Sequence, residues 1–444
     1  MKNEIEEQLR ELKQMETKYL RLIIIDIHGT PRSILIKREK FEEALSCGVG
    51  FDGSSIPGYT RIENSDLIAI PDPSTLIEAI WEDNRTAVVI CDTYTPEYKP
   101  FIGDPRVILK KVVSSIEEKG MKVKTGAELE FFIVNRESGL EKISTQDNGQ
   151  YMDSNPIDYG DSIKKYLGEI LHNCSIDYEK LHHEVAPGQH ELAITATNPI
   201  ELADKIILTK MIVKTIIKKN GYTATFMPKP FIGINGSGAH IHVSLNKEDY
   251  GNLFYAHSKN DISEIAKQFI AGILKHAKSL SLILNPTINS YKRLAPGYEA
   301  PVHICWGYSN RSTLIRIPRP IREKNCRIEY RQPDPSFNPY LGLAAIIAAG
   351  IWGVNNKISP IPPCHENAYH FNENFEILPA NLYEAIEEFK KNKVIQEALG
   401  KHSASKLIEV KLKEWEDYIN HEGPWNKNKN KITKWEIEKY LERV

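Results

Sequence analysis

Apolar residues recur at helical spacing near the start of the chain (Ile5, Leu9, Leu12, Met15, Leu20), and a β-branched run over residues 22–27 follows them. A short helix therefore leads into a sheet. Up to Asp92, short apolar runs at 33–36, 67–70 and 87–91 alternate with Gly, Pro and Asp turns, the pattern of a small strand-rich domain. Residues 93–104 contain Pro96, Pro100 and Gly103 and have linker chemistry. Asp104 and Pro105 then make an N-cap and first turn for a helix ending at Gly120. The boundary falls there, giving units 1–104 and 105–444. In the second unit strand-like pieces alternate with helical patterns at 201–220, 261–280, 338–354 and 381–399, which predicts two-layer α+β packing.

Composition narrows the class. With 444 residues, 41% hydrophobic and 26% charged, the chain has the apolar content of a large globular core, and disorder or a small disulfide scaffold is excluded. Lys+Arg 57 against Asp+Glu 59 leaves a net charge of -2, so no global pull toward nucleic acid or an anionic membrane is expected. The cysteines are scattered, without a CxxC pair or zinc-type spacing, and read as free thiols in a reducing compartment. The first residues lack a signal-peptide h-region, and the most apolar stretch, 343–354, is too short for a bilayer. A cytoplasmic protein with no membrane or nucleic-acid partner is the expectation. The Asn/Lys run at 426–431 reads as a solvated loop.

Candidate chemistry is concentrated in four segments. In GAELEFF, alternation puts Glu128 and Glu130 on one strand face, where two carboxylates repel unless a cation joins them. By itself that pair fits a solvated strand face equally well. HHEVAPGQHE supplies Glu184 and Glu191 across a Pro-Gly turn that can bring them to one point. NGSGAHIH places His240 and His242 on one strand face behind small residues that admit a ligand. Finally, Arg293, Arg311, Arg316, Arg319, Arg322, Arg327 and Arg331 crowd one region, and RIEYR sets Glu329 between two of them on one face. Carboxylates, a histidine or two and guanidinium forks together specify hard divalent cations, Mg²⁺ or Mn²⁺ rather than zinc, and an anionic, phosphate-bearing substrate. Phosphoryl transfer from ATP follows. No Walker loop and no kinase-type GxGxxGxV loop is present to hold the nucleotide.

The segments FDGSSIPG, GAELEFF, HHEVAPGQHE, TFMPKP, NGSGAHIH, NPTINSYKRLAPGYEAP and RIEYRQPDPSFNPY occur in that order along nearly the whole chain. The sequence resembles the glutamine synthetase family, in its bacterial and archaeal type I form. The resemblance implies an amino-terminal β-grasp domain, a carboxy-terminal catalytic α+β domain, and a homo-dodecamer with active sites between subunits. It implies that Glu130, Glu184 and Glu191 hold one metal ion and Glu128, His240 and Glu329 another. Asn235, Gly236, Arg293 and Arg331 match glutamate-binding positions. Glu179, His242, Ser244, Arg316, Lys324 and Arg327 match the nucleotide side, with Arg311 near the transferred phosphate.

The implied reaction joins ammonium to L-glutamate through γ-glutamyl phosphate, with ATP as co-substrate. Metals and arginines would cancel the repulsion between two anions. Asp52, from a neighbouring subunit, would be the base that deprotonates ammonium, with Ser55, Tyr151 and Glu184 holding it. Glu299 would close the site as part of a flap. The region around Tyr369, where some family members are adenylylated, is shortened, so that modification is not predicted. Arg61 matches a feedback arginine of one subgroup and reads equally well as a surface residue, and Gln332 and Phe337 differ from the commonest family residues. Rival readings are a γ-glutamyl-amine ligase using the same phosphorylation, and a non-catalytic oligomeric sensor. Asp52 and Ser55 favour ammonia, and the full set of metal carboxylates opposes the sensor.

Overall fold

The computed structural model describes residues 2–82, 85–136, 143–257, 261–295, 299–370 and 375–444. The amino-terminal unit runs α1 (Lys2–Gln14), β1 (Tyr19–Ile25), β2 (Pro31–Lys37), α2 (Phe41–Cys47), β3 (Val49–Asp52), β4 (Asp66–Pro71), β5 (Ile77–Glu78) and β6 (Thr86–Tyr94). Its sheet has the order β2-β1-β6-β4-β3, with β5 on β6 and a parallel β1-β6 pair at its centre. Leu20, Leu22 and Ile24 of β1 pack with Leu12, Phe41 and Val89 on one side of this sheet. Ile23 and Ile25 join the main core on the other. Burial on both faces is why β1 reads as a nearly continuous apolar run. The strand covers 19–25 rather than 22–27, because the Asp26 carboxylate accepts the backbone N–H groups of His28 and Thr30, both at 2.9 Å, and turns the chain.

The second unit begins with α3 (Pro105–Glu117), β7 (Met121–Arg136), β8 (Ile143–Thr145), α4 (Asp161–Asn173), β9 (Tyr178–His183), β10 (Gln189–Thr197), α5 (Pro199–Lys219), β11 (Thr223–Thr225) and β12 (Ala239–Lys247). There follow β13 (Gly251–Asn252), β14 (Tyr255–Ala256), β15 (Asp261–Ile262), α6 (Glu264–Leu284), α7 (Ser290–Arg293), β16 (Trp306–Tyr308), β17 (Ile315–Ile317) and β18 (Ile328–Tyr330). Helices α8 (Pro339–Asn355), α9 (Leu382–Lys391), α10 (Lys393–Leu399), α11 (Lys401–Glu422), α12 (Trp425–Asn428) and α13 (Lys434–Tyr440) complete it. Its sheet has the order β16-β17-β18-β12-β7-β10-β9. One face, with Ala127, Leu129, Leu192, Ile241 and Val243, packs into a core shared with α3, α5, α6 and α8. The other face carries the polar residues of the site.

Helix starts follow the sequence signals: Asp104, Asn198, Ser263, Asn338 and Asn381 each accept a backbone N–H of the first turn. Three readings change. Asp261 and Ile262 pair with β14 instead of beginning a helix, and Ser263 caps α6, which continues to Leu284. The pattern at 381–399 is two helices, because Asn392 ends α9 and caps α10 by accepting from the Ile395 N–H. The 426–431 run is partly helical, and Asn428 is buried, its amide donating to the Glu422 carbonyl at 2.7 Å.

Polar contacts lock the two units together. Arg106, in the first turn of α3, is buried and reaches Asp72 (2.8 Å) and Asp92 (2.6 Å) of the small unit and Asp204 of α5 (2.8 Å). The Asn338 amide donates to the carbonyls of Asp26 (3.1 Å) and Ile27 (3.2 Å).

Candidate active site

Strand register builds the site. Across the sheet, Lys180 pairs with Ala193, Ala193 with Glu128, and Glu128 with His240. Two residues along, His182 pairs with Glu191 and Glu191 with Glu130. On the far side of His240, His242 pairs with Glu329 and Glu329 with Arg316. Because side chains alternate with period two, these residues all share one face. The sequence alternation predicts the pairs within each strand; only the register brings the strands' contributions together.

The side chains converge. Glu128, His240 and Glu329 offer ligand atoms within 4.8 Å of one another, as do Glu130, Glu191 and His240, and His182, Glu184 and Glu191. His240 Nδ1 donates to Glu128 Oε2 at 3.2 Å, and His242 Nε2 lies 3.4 Å from Glu128 Oε1. Arg327 Nε donates to His242 Nδ1 at 3.1 Å, which fixes the His242 tautomer with Nε2 as donor. Glu130 accepts from the Gly238 N–H (2.7 Å) and the Gln189 amide (3.1 Å). Glu184 accepts from His182 (3.2 Å) and the Val185 N–H (2.9 Å). Glu329 receives Arg331 at 2.6 Å and also Arg316.

The charges are unevenly met. Burial, with Glu184 and Glu191 beside it, pushes the Glu130 carboxyl well above its usual range, and burial with Glu128 raises Glu191. Burial acts against the charges of Glu128 and Glu329 too, but the histidine bonds hold Glu128 low, and chiefly Arg331 holds Glu329 at about 2. His240 is lowered to about 4 by burial and by Arg331, so it is a neutral imidazole fit to ligate. A face with surplus anions, hard oxygen donors, an imidazole and no thiolate is a donor set suited to Mg²⁺ or Mn²⁺.

Two cavities flank this row. One, of about 340 Å³, is lined by Glu130, Glu184 and Glu191 together with Asn235, Gly236, Arg293, Glu299, Arg311, Arg331, Tyr151 and Tyr369. Arg293 is anchored on the carbonyls of Gln332 (2.8 Å) and Arg331 (3.2 Å), and Asn235 donates to Glu299 at 3.1 Å. A Cβ at position 236 would run into the Pro228 carbonyl, so the chain can pass there only as glycine. The other cavity, of about 520 Å³, is lined by Glu128, Glu179, His242, Ser244, Lys324 and Arg327, among others.

Most of the expected residues therefore meet. Arg316 lines neither cavity and acts on the site through Glu329. Asp52 and Ser55 also line neither; Asp52, exposed on the small unit, accepts from Ser54 and Ser55 instead. Pro296, Gly297 and Tyr298 of the expected flap lie outside the described residues, whereas Glu299 is described, with φ 55°. The sequence reading assigned no role to His182, Lys180, Gln189 or Tyr369. Their signal is positional: Lys180 and His182 share the period-two face of β9, and Tyr369 donates to the Arg311 carbonyl at 3.1 Å.

Comparison with known proteins agrees with this architecture. The family model described as "Glutamine synthetase, beta-Grasp domain" matches residues 16–96, and "Glutamine synthetase, catalytic domain" matches residues 102–440. Curated relatives named glutamine synthetase include that of Thermotoga maritima, 42% identical over 441 residues, covering 97% of this chain and 98% of the relative. That of Pyrococcus woesei is 43% identical over 432 residues, covering 96% of each. A solved structure described as "GmaS/ADP complex-Conformation 1" superposes with a TM-score of 0.87 at 30% identity, covering 97% of this chain and 98% of that one.

Proposed function

The chain belongs to the glutamine synthetase family, and from that premise we propose that the carboxylate row and its two flanking cavities carry out the ATP-dependent joining of ammonia to L-glutamate. The observation that carries the assignment of residues is the placement of six ligand candidates between an arginine-lined and a nucleotide-sized pocket. Glu128, His240 and Glu329 would hold one divalent ion. Glu130, Glu184 and Glu191 would hold a second, with His182 within reach of it. When bound, such ions supply charge neutralisation for the phosphate oxygens.

The remaining steps fall to side chains. Asn235, Gly236, Arg293 and Arg331 would seat glutamate, and Glu179, His242, Ser244, Lys324 and Arg327 the nucleotide. Glutamate's side-chain carboxylate then attacks the γ-phosphorus and ADP leaves, giving γ-glutamyl phosphate, while Arg311 and Arg331 offset the developing charge. Ammonium has no free lone pair until a base removes a proton; the ammonia then attacks the acyl carbon and expels phosphate, giving glutamine. Asp52 of a neighbouring subunit is the proposed base, its carboxylate held below its usual pKa by bonds from Ser54 and Ser55. Ser55, Tyr151 and Glu184 would hold the ammonium, and Glu299 would close over the intermediate. This requires assembly, and a dodecamer is part of the proposal, as is the domain division at Asp104 and Pro105.

Among the described residues no helix is long and apolar enough to cross a membrane. The free cysteines suit a reducing compartment, and we place the enzyme in the cytoplasm.

The test is a product assay with ATP, glutamate and either ammonium or small alkyl amines, run beside a mass measurement of the native particle. Glutamine formation that needs all three substrates, on a particle of many subunits, is expected. Preference for an alkyl amine would move the reading to a γ-glutamyl-amine ligase.

A further inference from the structure

Lys180 has no part in the scheme above, yet it sits in the middle of the ligand set. It lies on β9, at the edge of the sheet, in the row Lys180, Ala193, Glu128, His240. One strand, two inter-strand spacings of about 4.8 Å, separates Lys180 from Glu128. The methyl group of Ala193 leaves that gap open, and a four-carbon stem can cross it. Lys180 does cross: its Nζ stands 2.8 Å from Glu191 Oε1 and 3.5 Å from Glu128 Oε1. Glu128 belongs to one ligand trio and Glu191 to the others, so a single ammonium spans both ion positions.

Three features distinguish this contact from an ordinary surface pair. Of its acceptors, Glu191 is buried and the Glu128 side chain is only 18% exposed, and the two carboxylates stand close enough to share one ammonium, which therefore relieves a repulsion that would otherwise oppose folding of the metal-free protein. The carboxylates it holds are ones a divalent ion would require: on Glu128 it meets Oε1 while Oε2 faces His240, so one carboxylate charge is shared between the lysine and the ligand set. And the Lys180 side chain is 43% exposed on an edge strand, which gives it solvent to move into.

We infer that Lys180 is a tethered counter-ion that sets the divalent-ion affinity of the site: it neutralises Glu128 and Glu191 in the empty centre and is displaced when the ions bind. The inference rests on the metal reading under Proposed function.

The experiment is titration of Mn²⁺ into the intact assembly, without nucleotide or glutamate, followed by calorimetry and by electron paramagnetic resonance of free Mn²⁺. Wild type, K180M and K180R are compared, with K180Q in place of K180M should that variant not assemble. Removing the competing ammonium should tighten Mn²⁺ binding by about tenfold, the scale of one charged hydrogen bond. K180R, which keeps the charge, should stay close to wild type. Without metal, K180M should melt below wild type and gain more from added Mn²⁺. Mn²⁺ binding by K180M no tighter than by wild type, in particles of native mass, would overturn the role of Lys180 alone. Failure of wild type and K180M alike to bind Mn²⁺ would overturn the metal reading, and this inference with it.

Discussion

Glu128 and His240 stand directly opposite each other on β7 and β12, and their side chains meet at 3.2 Å on the polar face of the sheet. Replacing Glu128 by Gln keeps the shape and removes a charge. Divalent-ion affinity should then fall by more than about 100-fold, since even partners one shell out are worth 10- to 100-fold. Mn²⁺ titration of E128Q checks this, and unchanged affinity would remove Glu128 from the ligand set. Glu130 makes a sharper contrast. Burial and its neighbours Glu184 and Glu191 disfavour its charge, so E130Q should melt above wild type without metal and lose the metal-induced gain. Thermal melts with and without Mn²⁺ give both readings from one sample.

Asp52 is exposed, and in a single chain its acceptors are taken by Ser54 and Ser55. If it serves as the base for a neighbouring subunit, D52A should lower glutamine formation by about 100-fold or more, within the range of a positioned general base. The glutamate-dependent half-reaction should be spared. The ratio of the two rates is the measurement. Equal loss of both would contradict the role.

The sequence made the ligand types legible because period-two alternation ties residue type to strand face, as in 126–132 and 327–331. It could not yield register. Nothing local says that Ala193 stands between Lys180 and Glu128, and that spacing alone gives Lys180 its reach. Helix limits followed capping residues closely, except where tertiary pairing took over, as β15 does at Asp261 and Ile262. The apolar face of β1 that docks on the second unit looked like any buried strand. Its partner surface is assembled from elements far along the chain. Asp52 illustrates the limit: its motif implies a role, but its partners lie beyond the single chain.

Glu299 holds Asn235 at 3.1 Å over the arginine-lined cavity, in a left-handed backbone conformation that costs a non-glycine residue of order 1 kcal/mol. In the proposed scheme Glu299 shields an acyl phosphate from water. E299A should therefore uncouple the reaction, releasing more than one phosphate per glutamine, whereas wild type stays near one. Parallel phosphate and glutamine assays decide it. A ratio unchanged at reduced rate would leave Glu299 as a binding residue only.

Arg106 joins the small unit to the large one, and its charge is buried among Asp72, Asp92 and Asp204. Substituting Met removes the cation the three carboxylates share, leaving Lys110 on Asp72 and Asp92 and only the Tyr340 hydroxyl on buried Asp204, a loss of about 3–5 kcal/mol for a broken buried pair. Urea unfolding should show it, with earlier proteolysis near the joint. The effect has a pH signature. Burial opposes the Asp72 charge, but Arg106, Ser74 and Lys110 hold its carboxyl well below the usual range. A carboxyl lowered on folding contributes stability that is fully present above its unfolded pKa of about 4 and is lost as pH falls through the folded value. Wild-type stability should thus hold from neutral pH down to about 4 on this account and then drop. In R106M that acid branch should flatten, because the principal cation lowering Asp72 is gone. An acid branch of R106M as steep as that of wild type would show that Asp72 draws its low pKa from Ser74 and Lys110 instead.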